Sequence, residues 1–205
     1  MTPRPEPGPP EYVVALDVGG TGIKAALLGP GNEPLYEARQ DTDRERGPAA
    51  VVEGILRCAA KLRAYGVERY GTEPAAAGVA VPGIVDADTG TAVYAANLGW
   101  RDVPLRALLA ERLGGIPIAV EHDVRTGGLA EGRIGAGAGV DRFLFVPLGT
   151  GIAGAIGIDG RIEPGAHGSA GEIGHVVIRP DGPECGCGQR GCLETLASAA
   201  AVGRA

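Results

Sequence analysis

Three cysteines crowd the end of this chain, in the run Cys185-Gly186-Cys187-Gly188-Gln189-Arg190-Gly191-Cys192, and His175 stands ten positions before the first of them. One imidazole and three thiolates are the ligand set of a closed tetrahedral zinc site, and the glycines let the backbone wrap closely around an ion. Four protein ligands leave no open coordination position, so such a zinc is expected to be structural rather than catalytic. The competing reading is a set of reduced, unliganded thiols, which is disfavoured because three of them on one short loop would be prone to oxidation. Cys58 lies apart, at a core-facing helical position, and reads as a small buried apolar residue.

Among the acids, Asp123 follows the apolar run Ile116–Val120 and precedes a helical pattern. Ligands of open α/β sheets gather at the carboxyl ends of strands, where a carboxylate can accept a proton from a substrate hydroxyl. Asp is equally favoured there as a helix N-cap, so the position alone leaves both readings open. Glu172 and Glu194 flank the cysteine–histidine cluster, and a zinc loop would pin both near one place. Taken singly, each reads as a solvated acid.

Two glycine turns could approach phosphate: Asp17-Val18-Gly19-Gly20-Thr21-Gly22, and Gly149-Thr150-Gly151. The first is neither a Walker loop, lacking Gly-Lys-Ser/Thr, nor a dinucleotide fingerprint, because a strand rather than a helix follows it. Either turn alone serves as well for a plain hairpin. Both together favour a phosphate clamp built from backbone N–H groups that no Cβ obstructs.

The elements that must position these residues follow from periodicity. Strands are expected at Tyr12–Asp17, Ile23–Leu28 and Leu35–Gln40, joined by tight turns. Val51, Ile55, Cys58, Leu62 and Tyr65 recur at helical spacing between Pro48 and Tyr65. Next come a strand at Ala75–Val81 stopped by Pro82-Gly83, a helix at Pro104–Leu113, a strand at Ile116–Val120 and a helix at Val124–Arg133. The pattern then restarts with a strand at Arg142–Leu148, the glycine turn, and a hairpin partner at Ile152–Ile158. The expected fold is a duplicated α/β architecture of the actin-like, ribonuclease H-like ATPases, with a cleft between two lobes. Residues 1–11 read as a disordered tail, 12–121 as the N-terminal lobe, and 122–205 as a partial C-terminal lobe carrying the zinc loop.

Composition narrows the function. The net charge is −6 and no Lys/Arg-rich stripe is present, which argues against a nucleic-acid partner. No apolar stretch is long enough to cross a bilayer, and the proline-rich first residues are not a signal peptide. A cysteine cluster suited to metal rather than disulfides fits a cytoplasmic protein.

Together the stretches Asp17–Thr21, Pro82-Gly83 with Asp86, Asn97-Leu98-Gly99-Trp100, Asp123, Leu148–Gly151, Gly171-Glu172-Ile173-Gly174-His175 and Cys185–Glu194 resemble the ROK (repressor, open reading frame, kinase) family. The resemblance covers nearly everything after Tyr12, and its most specific part is the Glu–His pair with the three-cysteine run and trailing Glu. It implies an ATP- and Mg²⁺-dependent sugar kinase, a glucokinase above all. Asp17, Gly19, Gly20 and Thr21 would then hold phosphates and magnesium, and Gly149, Thr150 and Gly151 would meet the nucleotide from the other lobe. Asp123 would be the general base. Glu172, His175 and Glu194 would grip the hexose, with Gly83 and Asn97 as weaker contacts. His175 would serve sugar and zinc together, one ring nitrogen for each. The residue before the base is His122 where family kinases usually carry Asn, which bears on sugar preference. Family kinases continue well past the position of Ala205, so the C-terminal lobe is expected to be incomplete. Family repressors carry an N-terminal winged-helix module, for which the eleven residues before the first strand leave no room. The resemblance also implies self-association as a dimer or tetramer.

Overall fold

The computed structural model describes residues 11–203; the tail expected at the N-terminus, apart from Glu11, lies outside them. The chain divides into two compact units, Met1–Glu121 and His122–Ala205.

In the first unit, β1 (Val13–Val18), β2 (Gly22–Leu28) and β3 (Pro34–Asp41) form an antiparallel meander, β4 (Ala76–Val81) lies parallel to β1, and β8 (Ile118–His122) completes the order β3-β2-β1-β4-β8. Alternation drives the packing. Val14, Leu16 and Val18 on β1 and Ile23, Ala25 and Leu27 on β2 are buried, and their neighbours along each strand are not. Against this sheet lies α1 (Pro48–Tyr70), which buries Val51, Ile55, Cys58 and Leu62, as the helical spacing predicts. Tyr65 departs from that stripe: it is exposed and stacks on Tyr36 of β3, with ring centroids 4.1 Å apart.

The helix runs five residues past its expected end. The periodic stripe ends at Tyr65, yet Gly66 is required inside the helix. A Cβ there would come within 2.5 Å of the Tyr12 hydroxyl. Termination falls instead to Gly71, whose left-handed backbone (φ 74°) returns its N–H to the Val67 carbonyl.

A three-stranded sheet, β5 (Ile84–Asp86), β6 (Thr91–Ala95) and β7 (Trp100–Val103), is absent from the sequence reading. Its strands are too short to show alternation. Trp100 anchors it, fully buried, with the indole N–H donating to the Pro48 carbonyl at the start of α1 (3.3 Å). A second helix, α2 (Leu105–Arg112), buries Leu105 and Leu109 in the same core.

In the second unit, α3 (Asp123–Ile134) packs on an antiparallel sheet of β9 (Arg142–Phe145), β10 (Ala155–Ile158) and β11 (Arg161–Glu163). The strand expected to reach Leu148 stops at Phe145. Pro147 has no N–H to give the ladder, and the chain instead makes an isolated bridge between Leu148 and Ile152. Short helices α4 (Leu193–Ala197) and α5 (Ala199–Val202) follow the cysteine run.

The face that α3 turns to the sheet is made of glycine. A Cβ on Gly128 would lie 2.5 Å from the Ala155 Cβ, and one on Gly132 would lie 2.8 Å from the Phe143 ring. Glycine inside a helix ordinarily costs about 1 kcal/mol relative to alanine, and here close approach of the sheet demands it. Gly128→Ala should therefore destabilise the protein, by about 1–3 kcal/mol through overpacking, where helix propensity alone predicts a gain. Urea denaturation of the two proteins measures the sign.

Candidate functional site

The first unit holds one group of candidates. Asp17 ends the exposed face of β1, directly across the ladder from Lys24, whose ammonium lies 3.1 Å from its carboxylate. Both side chains are at least half exposed, so this pair contributes little to stability and leaves the carboxylate within reach of a ligand. The turn that follows is closed by Gly19 N–H donating to the Gly22 carbonyl (2.8 Å). Gly20 sits beside Asn97, whose amide nitrogen would be 3.4 Å from a Cβ at that position. Gly83 has φ 95°, and its Cβ would strike the Tyr94 carbonyl, so a backbone constraint accounts for glycine there.

Thr42 is the residue the sequence reading missed. It is 2% exposed at the end of β3. Its hydroxyl donates to the Gly19 carbonyl (2.7 Å) and its N–H to the Thr21 carbonyl (3.2 Å). Both bonds turn carbonyls of the glycine turn inward. Nothing in the run Gln40-Asp41-Thr42-Asp43 advertises this, because the bonds span 23 and 21 positions of the chain.

The second unit holds the rest. Asp123 is the first residue of α3, with His122 in the capping position, so the carboxylate is not the N-cap that the sequence allowed. Its Oδ1 accepts from the Val124 N–H (2.7 Å) and lies 3.2 Å from Nε2 of the buried His122. The turn Gly149–Gly151 is closed by Gly149 N–H donating to the Gly151 carbonyl (3.1 Å), and Ala199 N–H at the start of α5 donates to the Gly149 carbonyl (2.9 Å). A Cβ on Gly151 would meet the Glu194 carboxylate at 2.8 Å, so this turn and that acid are neighbours.

Glu194 in turn reaches the cysteine–histidine cluster. Cys185 Sγ donates to its Oε1 (3.2 Å), and His175 Nδ1 is 3.6 Å from the same oxygen. Nε2 of His175 lies 3.8 Å from the Glu172 carboxylate. The imidazole therefore turns one nitrogen toward the thiols and the other toward an acid.

The ligand atoms of His175, Cys185, Cys187 and Cys192 all lie within 4.8 Å of one another. The Sγ atoms of Cys187 and Cys192 are 3.7 Å apart, and His175 Nδ1 is 3.5 Å from Cys185 Sγ. A tetrahedron with zinc–sulfur bonds of about 2.3 Å and a zinc–nitrogen bond of about 2.0 Å has edges of about 3.8 and 3.5 Å. The donor set thus fits one tetrahedral zinc in type and number, and in the spacing of these two pairs. The loop is held in shape by the bridge between Glu184 and Arg190 and by Cys185 N–H donating to the Gln189 carbonyl (2.8 Å). The Gln189 N–H beside Cys187 draws that thiol down to about 7, and burial pushes Cys185 up to about 12, with Glu194 adding to the rise. Burial also raises Cys192.

A mixed α/β fold with a glycine turn after its first strand, an acid where a strand meets a helix, and this cluster defines a narrow class of protein. The sequence profile of the ROK family matches residues 13–205, and the chain belongs to that family. It is 38% identical over 194 residues to a glucokinase of Halalkalibacterium halodurans, covering 94% of this chain and 58% of that protein. Among solved structures it matches a ROK family glucokinase of Streptomyces griseus in complex with glucose and AMPPNP, with a TM-score of 0.82, 34% identity, and coverage of 94% of this chain and 59% of that one. It also matches a ROK family transcriptional regulator, a homologue of the E. coli MLC protein, with a TM-score of 0.83, 26% identity, and coverage of 94% and 48%. These relatives place the fold among the actin-like ATPases. The chain spans less than three-fifths of the length of these relatives.

Thr42→Val should lower stability by about 1–2 kcal/mol, since it strips the Gly19 carbonyl of its donor while conserving shape. Thr42→Ser should recover most of that loss. Urea denaturation, with amide exchange followed at Gly20 and Thr21, checks both.

Proposed function

We propose that this chain carries the chemistry of an ATP-dependent hexose kinase with glucose as its acceptor. The observation that carries the reading is Asp123, placed where β8 gives way to α3, in the same unit as the acids Glu172 and Glu194 and the imidazole of His175. The family alone does not distinguish kinase from regulator, since one of each matches this fold equally well. An acid at the strand end suits proton abstraction from a sugar hydroxyl, and a regulator that only senses sugar has no use for a base.

Phosphoryl transfer asks the protein for positioning and electrostatic stabilisation more than for covalent chemistry. Asp123 takes the proton of the attacking hydroxyl. Glu172, Glu194 and Nε2 of His175 hold the neighbouring hydroxyls by hydrogen bonds, with Asn97 and Gly83 as further sugar contacts from the first unit. His122 orients the base through its contact with Oδ1. Gly20 and Thr21, and likewise Thr150 and Gly151, would offer backbone N–H groups to the phosphates of ATP, while the N–H groups of Gly19 and Gly149 close the two turns that carry them. Magnesium, held through Asp17, neutralises phosphate charge when bound.

Zinc is assigned a structural role on His175, Cys185, Cys187 and Cys192, which fixes the loop bearing Glu194 and leaves Nε2 of His175 for the sugar. Lobes at 12–121 and 122–205, a cytoplasmic location, and dimers or tetramers without nucleic-acid or membrane partners belong to the same reading. Among the described residues no helix is long and apolar enough to cross a membrane.

Incubation with ATP, magnesium and a panel of hexoses should give sugar-dependent ADP release, greatest with glucose. Asp123→Asn should reduce it at least about a hundredfold while leaving glucose binding in place. Release that survives this substitution would refute the base, and its absence from the unaltered protein would refute the kinase. Elemental analysis should find one zinc per chain. Stripping it with a chelator should lower the melting temperature, and adding zinc back should restore it.

A further inference from the structure

Among the described residues, Arg125 is the sole Arg, Lys, Asp or Glu that is buried, at 6% exposure. It lies two positions beyond Asp123, in the first turn of α3. A guanidinium leaves water only where acceptors replace the water it gives up. One of these is the Gly168 carbonyl, 2.9 Å from its NH1 and 43 positions along the chain.

Gly168 is in the middle of a loop that runs from the end of β11 to Glu172. Three of its glycines, 165, 168 and 171, have left-handed backbones at φ 72°, 67° and 94°. Local bonds shape its near end, where Ala170 N–H reaches the Pro164 carbonyl (3.1 Å) and Gly168 N–H the Gly165 carbonyl (3.3 Å). At its far end Gly154 N–H on the sheet side donates to the Gly171 carbonyl (2.7 Å). So many glycines leave the loop little intrinsic stiffness, and tethers from outside must supply it. Arg125 supplies one from the helix that begins with Asp123. The loop then delivers Glu172 and, one short 3₁₀ turn later, His175.

We propose that Arg125 is a positioning residue. It holds the 164–171 loop against α3 and so sets where Glu172 and His175 stand relative to Asp123. This rests on the kinase reading for its functional consequence, and on geometry alone for the tether. Arginine suits the task because its charged donor stays fixed in a planar group, whereas a lysine ammonium would reach the carbonyl from a flexible stem. Neither the helix pattern around Val124–Arg133 nor the glycine-rich loop points to this link when read separately.

The test is Arg125→Met, which keeps length and apolar bulk but removes every donor, alongside Arg125→Lys. Hydrogen exchange of the amides at 165–171 should accelerate about tenfold in Arg125→Met, while exchange at 185–192 and zinc content stay unchanged. The KM for glucose should rise about tenfold, with a smaller change in kcat. Arg125→Lys should recover part of both effects, which a generally loosened fold would not do. Unchanged loop exchange in Arg125→Met would overturn the tether. Faster loop exchange with an unchanged KM would overturn its role in placing the sugar residues. A wild-type protein with no hexose-dependent turnover would instead refute the kinase reading, and the exchange arm would still decide the tether.

Discussion

The convergence of His175, Cys185, Cys187 and Cys192 is the contact around which the described part of the second unit is arranged. Among its described residues only five apolar side chains are buried, namely Ile152, Ala155, Cys185, Cys192 and Ala201, and two of the five are ligand candidates. Three thiols and an imidazole gathered within 4.8 Å of one another form a fixed point that a bound metal would tighten. The glycines of the loop are the other half of the same constraint. A Cβ on Gly191 would collide with the Arg179 carbonyl, and one on Gly174 with that of Ile152. The backbone is packed against itself where side chains would normally fill space.

That economy ties structure to ligand binding. Glu194 touches Cys185 on one side and abuts Gly151 on the other, so a group that stabilises the cysteine loop also fixes the edge of the second glycine turn. The split orientation of His175, Nδ1 toward thiols and Nε2 toward Glu172, extends the coupling to the acid on the other side. In the kinase reading, any motion of the loop moves sugar contacts and nucleotide contacts together. The first unit fixes its glycine turn differently. Its glycine turn hangs from a five-stranded sheet with a full apolar core, and the buried Thr42 hydroxyl fixes the carbonyls of the turn.

The fold was legible where periodicity is long. β1 to β4 and the α1 stripe emerge from alternation and helical spacing, because one face of each element meets a continuous core. Legibility fails where a contact between distant residues overrides a local signal. The apolar stripe of α1 ends at Tyr65, yet the helix runs on through Gly66, which packs closely on Tyr12; Tyr65 itself reads as core and is drawn outward by Tyr36. β5 to β7 carry too few residues each to show a period, and Trp100 alone hints that the region is folded. In the site, the cysteine cluster was readable because its spacing is local. Thr42 and Arg125 were not, since their partners are 23 and 43 positions away.

The position of Asp123 also shows why a single residue can be both structural and chemical. As the first residue of α3 it lies within the positive end of the helix dipole, and its Oδ1 accepts the Val124 N–H. Both hold the carboxylate in one orientation at the point where strand gives way to helix. Contact with His122 Nε2 at 3.2 Å fixes the same oxygen from the strand side. In the kinase reading Asp123 does not have to deprotonate the sugar hydroxyl ahead of reaction. It suits a transfer in which the proton leaves late, once bond formation to phosphorus has acidified the attacking oxygen, which is what a loose phosphoryl-transfer transition state requires. The contacts of Asp123 and the demands of the proposed chemistry therefore agree on placement: what the reaction asks of this residue in the kinase reading is a carboxylate held still where the proton leaves.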